Sequence, residues 1–349
     1  MRPGGFPELL KQITVRMFPN RSAGTPGVGS TVKAAGTLIA CLLATVGSSP
    51  PAHGEPTHVA QSHGPEVAVS GRHDFAGRVK IPGGRRLHLE CRGTGSPTVV
   101  LEAGTGDTSD VWTMPPFGRG RAVLPAVARF TRVCAYDRPG TYLDGRRSRS
   151  DPVAMPRSAR DIVADLRALL RAADVPGPYV LVGHSFGGMI ARLYSTLHPR
   201  RVAGLVSVDA QNEDFVAAYK ELLTPEQYLG AVLDPQPPPG LEDYAAFERL
   251  SLETSAAQMR QAQADKPMRR MPVVVLSHSR TLPNPFGFPS EWPLTGLERA
   301  FQDSQDMLAG LVPGAQHRIA AKSGHYIQLD QPRLVTRAIR VVVRAARRS

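Results

Sequence analysis

From residue 77 onward, short runs rich in β-branched residues alternate with stretches whose apolar positions recur at helical spacing. The first texture predicts strands and the second amphipathic helices. Residues 77–81 and 86–91 read as a hairpin around Pro82-Gly83-Gly84. Strands follow at 98–101, 130–136, 179–182, 202–208, 273–276 and 316–321. A helix at 158–173 carries Ile162, Leu166, Leu169 and Leu170 on one face, another runs from 186 through His198, and a last one covers 332–347. Runs such as 179–182 are apolar at every position, the mark of a strand buried on both faces. Strands alternating with helices predict an α/β fold, a mostly parallel central sheet with helices on both faces.

Between 209 and 271 the alternation breaks. Two helix-like stretches, 214–233 and 241–263, flank the turn-rich Asp234-Pro235-Gln236-Pro237-Pro238-Pro239-Gly240. They predict an inserted helical cap at about residues 211–270. Residues 48–75 show no apolar period and are rich in Pro, Gly, Ser and His, the composition of a linker. The organisation expected is a leader at 1–54, a linker at 55–75, and one domain at 76–349 that carries the cap. His53, His58 and His63 recur at a fixed spacing, but a solvated linker explains them better than a metal site.

Composition adds that a sizeable core is within reach, since 42% of the 349 residues are hydrophobic. The formal net charge is +12, and much of it sits at the two ends. Arg2, Lys11, Arg16, Arg21 and Lys33 precede the first apolar run; Arg333, Arg337, Arg340, Arg344, Arg347 and Arg348 decorate the last helix. No nucleic-acid fold signature or aromatic-rich basic strand accompanies them, so nucleic acid is not expected as a partner. A cationic leader and a solvated helix face account for the charge, with loose attraction to an anionic surface left open.

Residues 34–47 read AAGTLIACLLATVG, an uncharged run directly after Lys33. It falls short of the ~20 apolar residues of a membrane span. Basic residues, a short apolar run, then small residues and prolines form the layout of a secretory signal, so export is expected. The other reading is an anchor that is never cut. Leu38-Ile39-Ala40-Cys41 has the look of a lipoprotein box, but the apolar run continues past Cys41, which places that cysteine inside the leader's core. With the leader removed, Cys91 and Cys134 remain. An even pair in an oxidising compartment suits a disulfide, and two separately buried thiols are the alternative.

The strongest chemical signal is Gly183-His184-Ser185-Phe186-Gly187, a G-x-S-x-G pentapeptide between a buried strand and a helix. In that setting the turn forces the serine into a strained backbone and lifts its hydroxyl clear of the sheet. Ser185 is therefore the candidate nucleophile. A serine hydroxyl needs a base, and His325, in Ser323-Gly324-His325 between the last strand and the last helix, is the best placed of the ten histidines. His184 is read as structural, and His88, His198, His278 and His317 lack the position. An acid must orient the base. The usual place, after the strand at 273–276, has no carboxylate before Glu291. Asp209, at the end of the strand 202–208, is the candidate, with Glu213, Asp214 and Glu291 as alternatives. Oxyanion donors are expected from the backbone N–H of Phe186 and from the loop Glu102-Ala103-Gly104-Thr105-Gly106-Asp107, Thr105 first and Gly106 second.

Over about residues 77–349 these features resemble the α/β-hydrolase superfamily. The order Ser185, Asp209, His325 is similar to that family's order of nucleophile, acid and base, and Tyr136-Asp137-Arg138-Pro139-Gly140 resembles its D-R-x-G turn. Leu101-Glu102-Ala103-Gly104 stands where many members carry a His-Gly pair. The resemblance implies that the second and fourth strands are neighbours, which would set Cys91 beside Cys134. It also implies an α/β-hydrolase fold, no metal or organic cofactor, and two-step acyl transfer on a small-molecule ester or amide. Members with an aspartate nucleophile, the haloalkane dehalogenases and epoxide hydrolases, are set aside by Ser185. Carboxylester hydrolysis leads. An exported acyltransferase, a proline-type aminopeptidase (favoured by an acidic cluster at the site) and an inactive hydrolase fold used for binding remain as alternatives. The last draws support from the missing acid after Leu276.

Overall fold

In the computed structural model, residues 73–237 and 240–348 are described. The leader, and the linker up to residue 72, lie outside the described residues. The alternation of strands and helices sets up one eight-stranded sheet. Its strands are β1 (Phe75–Lys80), β2 (Arg86–Arg92), β3 (Thr98–Glu102), β4 (Val133–Tyr136), β7 (Tyr179–His184), β8 (Val202–Val208), β9 (Val273–His278) and β10 (Gln316–Ala320), in the order β1-β2-β4-β3-β7-β8-β9-β10. A small ribbon of β5 (Tyr142–Leu143) and β6 (Arg146–Arg147) stands apart. β1–β2 and β2–β4 pair antiparallel; every other neighbour in the large sheet is parallel.

Side chains alternate between the two faces with period two. In β7, Tyr179 and Leu181 face one core while Val180 and Val182 face the other; in β9, Val273 and Val275 oppose Val274 and Leu276 in the same way. One face is covered by α2 (Ala159–Ala172) and α3 (Phe186–Leu197), the other by α1 (Val123–Val127) and α9 (Pro332–Ala346). The Ser158–Asp161 capping box starts α2. In α9, Val335, Ile339, Val342 and Val343 point inward, while Arg333, Arg337 and Arg344 are exposed, so the basic run is a solvated helix face. Cys91 and Cys134 are directly opposite one another in the β2–β4 register and are joined by a disulfide.

Four elements differ from the pattern reading. β4 begins at Val133, because Phe130 and Thr131 turn back to donate to the Val127 carbonyl at the end of α1. The stretch 214–233 is not one helix. α4 (Glu213–Leu222) stops, and Thr224, with its own capping box, starts the short α5 (Pro225–Tyr228) at a proline. The stretch 241–263 is helical only in α6 (Leu252–Asp265), since 241–250 is consumed by turns that carry Phe247 and Glu248 inward. α7 (Leu294–Gly310) was not anticipated; Leu297, Phe301, Ser304, Gln305 and Leu308 form its buried face. α4 packs against both α6 and α7, and Phe215, Tyr219, Phe286, Phe288 and Phe301 cluster above the sheet. The short α8 (Ile327–Asp330) precedes α9.

Candidate active site

β7 ends at His184 and α3 begins at Phe186, so the turn between them is a single residue, Ser185. Its backbone sits at φ 52°, ψ −127°, a region L-residues avoid. The glycines on either side make this turn feasible. A Cβ at Gly183 would lie 2.3 Å from the Gly187 carbonyl oxygen, and one at Gly187 would lie 2.4 Å from that of Ala103. The turn is anchored to the next strand: Ser185 N–H donates to the Val208 carbonyl at 3.2 Å, and Gln211 N–H donates to the Ser185 carbonyl at 2.9 Å.

Asp209 leaves β8 at φ 47°, its own N–H bound to the Leu276 carbonyl at 2.7 Å. Its carboxylate is fully buried and accepts the Nδ1–H of His325 at 2.6 Å. Burial opposes its charge, but His278 and His325 outweigh that cost and hold the carboxyl well below the ordinary carboxylate range. The His325 loop is pinned from two sides. Its N–H donates to the Pro285 carbonyl at 3.0 Å, and Asp330 accepts from both the Ser323 hydroxyl and the Gly324 N–H at 3.0 Å. His184 donates its Nε2–H to the His325 carbonyl at 3.1 Å. Burial drives the His184 pKa far down, so this ring is neutral and serves as a strut.

The loop after β3 lies against Ser185: a Cβ at Gly104 would be 3.2 Å from the Ser185 Cβ. Arg138, from the Asp137-Arg138-Pro139-Gly140 turn, holds that loop from behind. Its buried guanidinium donates to the carbonyls of Ala103 (2.8 Å) and Gly104 (2.6 Å), and pairs with Glu102 (2.8 Å) and Glu248 (2.7 Å). Glu248 in turn accepts the Gly106 N–H at 2.7 Å. This corrects the expectation for Gly106: its N–H is committed to a carboxylate and is not an oxyanion donor. Thr105 lines the same cavity as Ser185. Phe186 is the first residue of α3, where a helix N–H has no partner within the helix.

Ser185 and His325 open into one cavity, walled by Phe215, Tyr219, Phe247, Phe286 and Phe301. Phe215, Tyr219 and Phe247 reach it from the cap, whereas Tyr228 packs inside the cap and donates to Glu253 at 2.7 Å. The alternative acids lie elsewhere. Glu213 is paired with Arg192 and Asp214 with Arg260, while Glu291 is exposed. Among the described residues no group of three or more His, Cys, Asp or Glu side chains is placed to hold a metal ion.

Sequence reasoning missed His278. It is completely buried, and Asp209 accepts from its backbone N–H at 2.8 Å and its ring Nδ1 at 2.8 Å. Its Nε2 faces Glu298 at 2.9 Å. The signal was present: His278 stands where an acid is usual, at the end of the strand next to β8.

Residues 99–338 match the model of the alpha/beta hydrolase family. An uncharacterised protein of Schizosaccharomyces pombe is 34% identical over 36% of this chain and 26% of its own length. A 2-hydroxy-6-oxo-2,4-heptadienoate hydrolase of Pseudomonas putida is 25% identical over 74% of this chain and 92% of its own. The chain spans less than half the length of three curated relatives it matches, at 26%, 40% and 45%. Among solved structures, that of DBJA superposes with a TM-score of 0.54 at 15% identity, covering 79% of this chain and all of the other. Cfl2 from Burkholderia cenocepacia gives 0.51 at 20% identity, over 78% of this chain and 98% of that one.

Proposed function

The chain belongs to the alpha/beta hydrolase family, and from that premise we propose that it is a serine hydrolase cleaving a carboxylic ester through an acyl-enzyme on Ser185. One observation carries the reading. A serine held at positive φ opens into the same cavity as an imidazole whose Nδ1–H is fixed on a buried carboxylate at 2.6 Å. With Nδ1 committed to Asp209, the His325 lone pair is on Nε2, the nitrogen that can take the Ser185 proton. The hydroxyl oxygen adds to the ester carbonyl, and the oxyanion is met by the N–H groups of Thr105 and Phe186. His325 returns the proton to the departing alcohol. Water, deprotonated by the same imidazole, then releases the acid and restores the serine.

The aromatic walls favour a substrate with an apolar or aryl portion. Amine recognition, which a proline-type aminopeptidase needs, finds poor support: Glu248 lines the cavity, but Arg138 and Gly106 already occupy its oxygens. The binding-only reading rested on a missing acid, and Asp209 fills that role in the arrangement proposed. Export is part of the proposal, and the Cys91–Cys134 disulfide supports an oxidising compartment.

Labelling with a fluorophosphonate probe and hydrolysis of p-nitrophenyl butyrate test the reading. Wild type is expected to label and turn over, and Ser185→Ala to do neither. A labelled Ser185→Ala, or an unlabelled wild type, overturns it. Adding an alcohol acceptor to the assay separates hydrolysis from acyl transfer by the ratio of products.

A further inference from the structure

β8 and β9 are parallel neighbours in the register Val208↔Leu276, so their ends open at one rim of the sheet. Asp209 leaves the first strand there and His278 closes the second. The His278 backbone N–H and ring Nδ1 both donate to Asp209, at 2.8–3.0 Å, and Nε2 lies 2.9 and 3.1 Å from the two oxygens of Glu298. A ring nitrogen that faces an ionised carboxylate at this distance carries a hydrogen, because a lone pair would be repelled. Both nitrogens face a carboxylate, which is the setting of an imidazolium. Gln302 Nε2 lies 3.0 Å from the same Nε2 and donates to Glu298 Oε1 at 2.8 Å, so the amide has an acceptor other than the ring. Phe301 stacks on the ring and Phe286 meets it edge-on, which fixes its plane.

On the reading of Ser185, His325 and Asp209 given above, we infer that His278 is a positioning residue, an imidazolium held between Asp209 and Glu298 that fixes the Asp209 carboxylate for His325 and limits the charge it presents. The charges explain why Glu298 is part of the device. Asp209 and a charged His278 alone sum to zero and would offer nothing to an imidazolium forming on His325. Glu298 restores one net negative charge, so the assembly becomes neutral as His325 takes the serine proton. Burial works against the charge on His278, and the two carboxylates outweigh it, keeping the ring protonated well above the ordinary histidine range. The charged and titratable groups around it are Asp209 after β8, His325 from the loop after β10, and Glu298 on α7. Beyond them Arg280 donates to Gln302 and pairs with Asp306, which also pairs with His317.

His278→Asn tests this, because an asparagine amide can reproduce the Nδ1 donor without the charge. The acid limb of the kcat/KM profile on p-nitrophenyl butyrate should then move up by about half to one pH unit, as one like charge beside the base is removed. His278→Ala, which lacks the donor, should also lose about a hundredfold in kcat, most of it recovered in His278→Asn. A purely structural histidine would lower stability and leave the acid limb in place, and that result overturns the inference. Nitrogen-15 spectra of histidine-labelled wild type supply a second measurement that needs no variant. They should show one imidazole with protons on both nitrogens at pH 8, and spectra in which no ring is doubly protonated at that pH overturn the inference even if His278→Asn does not fold. Full activity in Ser185→Ala would overturn the hydrolase reading and this role together; an inactive Ser185→Ala with an unmoved acid limb in a folded His278→Asn overturns this role alone.

Discussion

Replacing Asp209 by asparagine changes one atom of the side chain and should disable the base. The carboxylate accepts from three groups: His278 N–H at 2.8 Å, His278 Nδ1 at 2.8 Å and His325 Nδ1 at 2.6 Å. An amide keeps one oxygen and must turn its NH2 toward one side. If the oxygen faces His325, the NH2 meets the backbone N–H of His278, which has no alternative tautomer. That leaves buried donors opposed, at about 1–3 kcal/mol. If the oxygen stays on His278, the NH2 faces His325 Nδ1, and that ring adapts by moving its proton to Nε2. The second arrangement is cheaper, and it puts a hydrogen where the base needs a lone pair. The expected loss is about 10³–10⁴ in kcat, roughly 4–5.5 kcal/mol of activation free energy. Stability should fall as well, by about 3 kcal/mol at pH 7, because a buried imidazolium loses a partner. The folded pKa of Asp209 is depressed, so its contribution is present above pH ~4 and is lost as pH falls through the lower folded value. The gap in melting temperature between wild type and variant should therefore narrow in acid. The assay is kcat on p-nitrophenyl butyrate, normalised by calorimetric evidence of folding. A folded Asp209→Asn retaining more than a tenth of wild-type kcat would refute the reasoning and move the acid elsewhere.

Other outcomes follow from the same geometry. Gly187→Ala places a Cβ 2.4 Å from the Ala103 carbonyl oxygen and should push α3 off the oxyanion loop, lowering kcat/KM about a hundredfold on p-nitrophenyl butyrate. Wild-type kcat/KM in that variant would mean the approach of α3 to β3 does not set the site. The Cys91–Cys134 bond closes a loop with a sequence separation of 43, so the double serine variant should lose about 4 kcal/mol in urea denaturation. Burial, against the pull of Arg138, raises Glu102 to about 7. Its contribution to stability is complete below the unfolded value of 4.5 and is lost as pH rises through about 7. Glu102→Gln should accordingly gain on wild type by about 3 kcal/mol between pH 4.5 and 8, measured by urea titration at each pH. Parallel curves would place the proton elsewhere in the Glu102–Arg138–Glu248 cluster.

The parts of the fold legible in the sequence are those that local rules govern. Val180-Leu181-Val182 and Val273-Val274-Val275-Leu276 are apolar throughout because each strand is covered on both sides, and that requirement leaves its trace residue by residue. The turn at Ser185 is legible for the same reason: glycines at 183 and 187 answer clashes with atoms close in sequence or on the adjacent strand. The cap was not legible in detail. Leu223 leaves one helix in extended backbone and Thr224-Pro225 starts another, and residues 241–250 spend their backbone bringing Glu248 to Arg138, a partner 110 positions away. Nor did anything local announce that the Gly106 N–H would be spent on that same glutamate.

The acid shows most clearly where sequence reasoning stops. β8 and β9 end side by side, so a carboxylate on either could reach an imidazole delivered after β10. Strand order alone permits both, and the choice is made by what occupies the other strand end. A second carboxylate at position 278 would set two buried like charges against each other across the rim, at a cost of several kcal/mol. A neutral apolar residue there would remove the side-chain donor and leave Asp209 held only by the backbone N–H of residue 278 and by His325. Histidine meets both demands, donating to Asp209 and, through Glu298, returning the charge balance that the aspartate alone would have supplied. Read this way, the absence of an acid after Leu276 is the complement of its presence after Val208. The two positions form one unit, and a change at either alters the charge that the other presents to the rim.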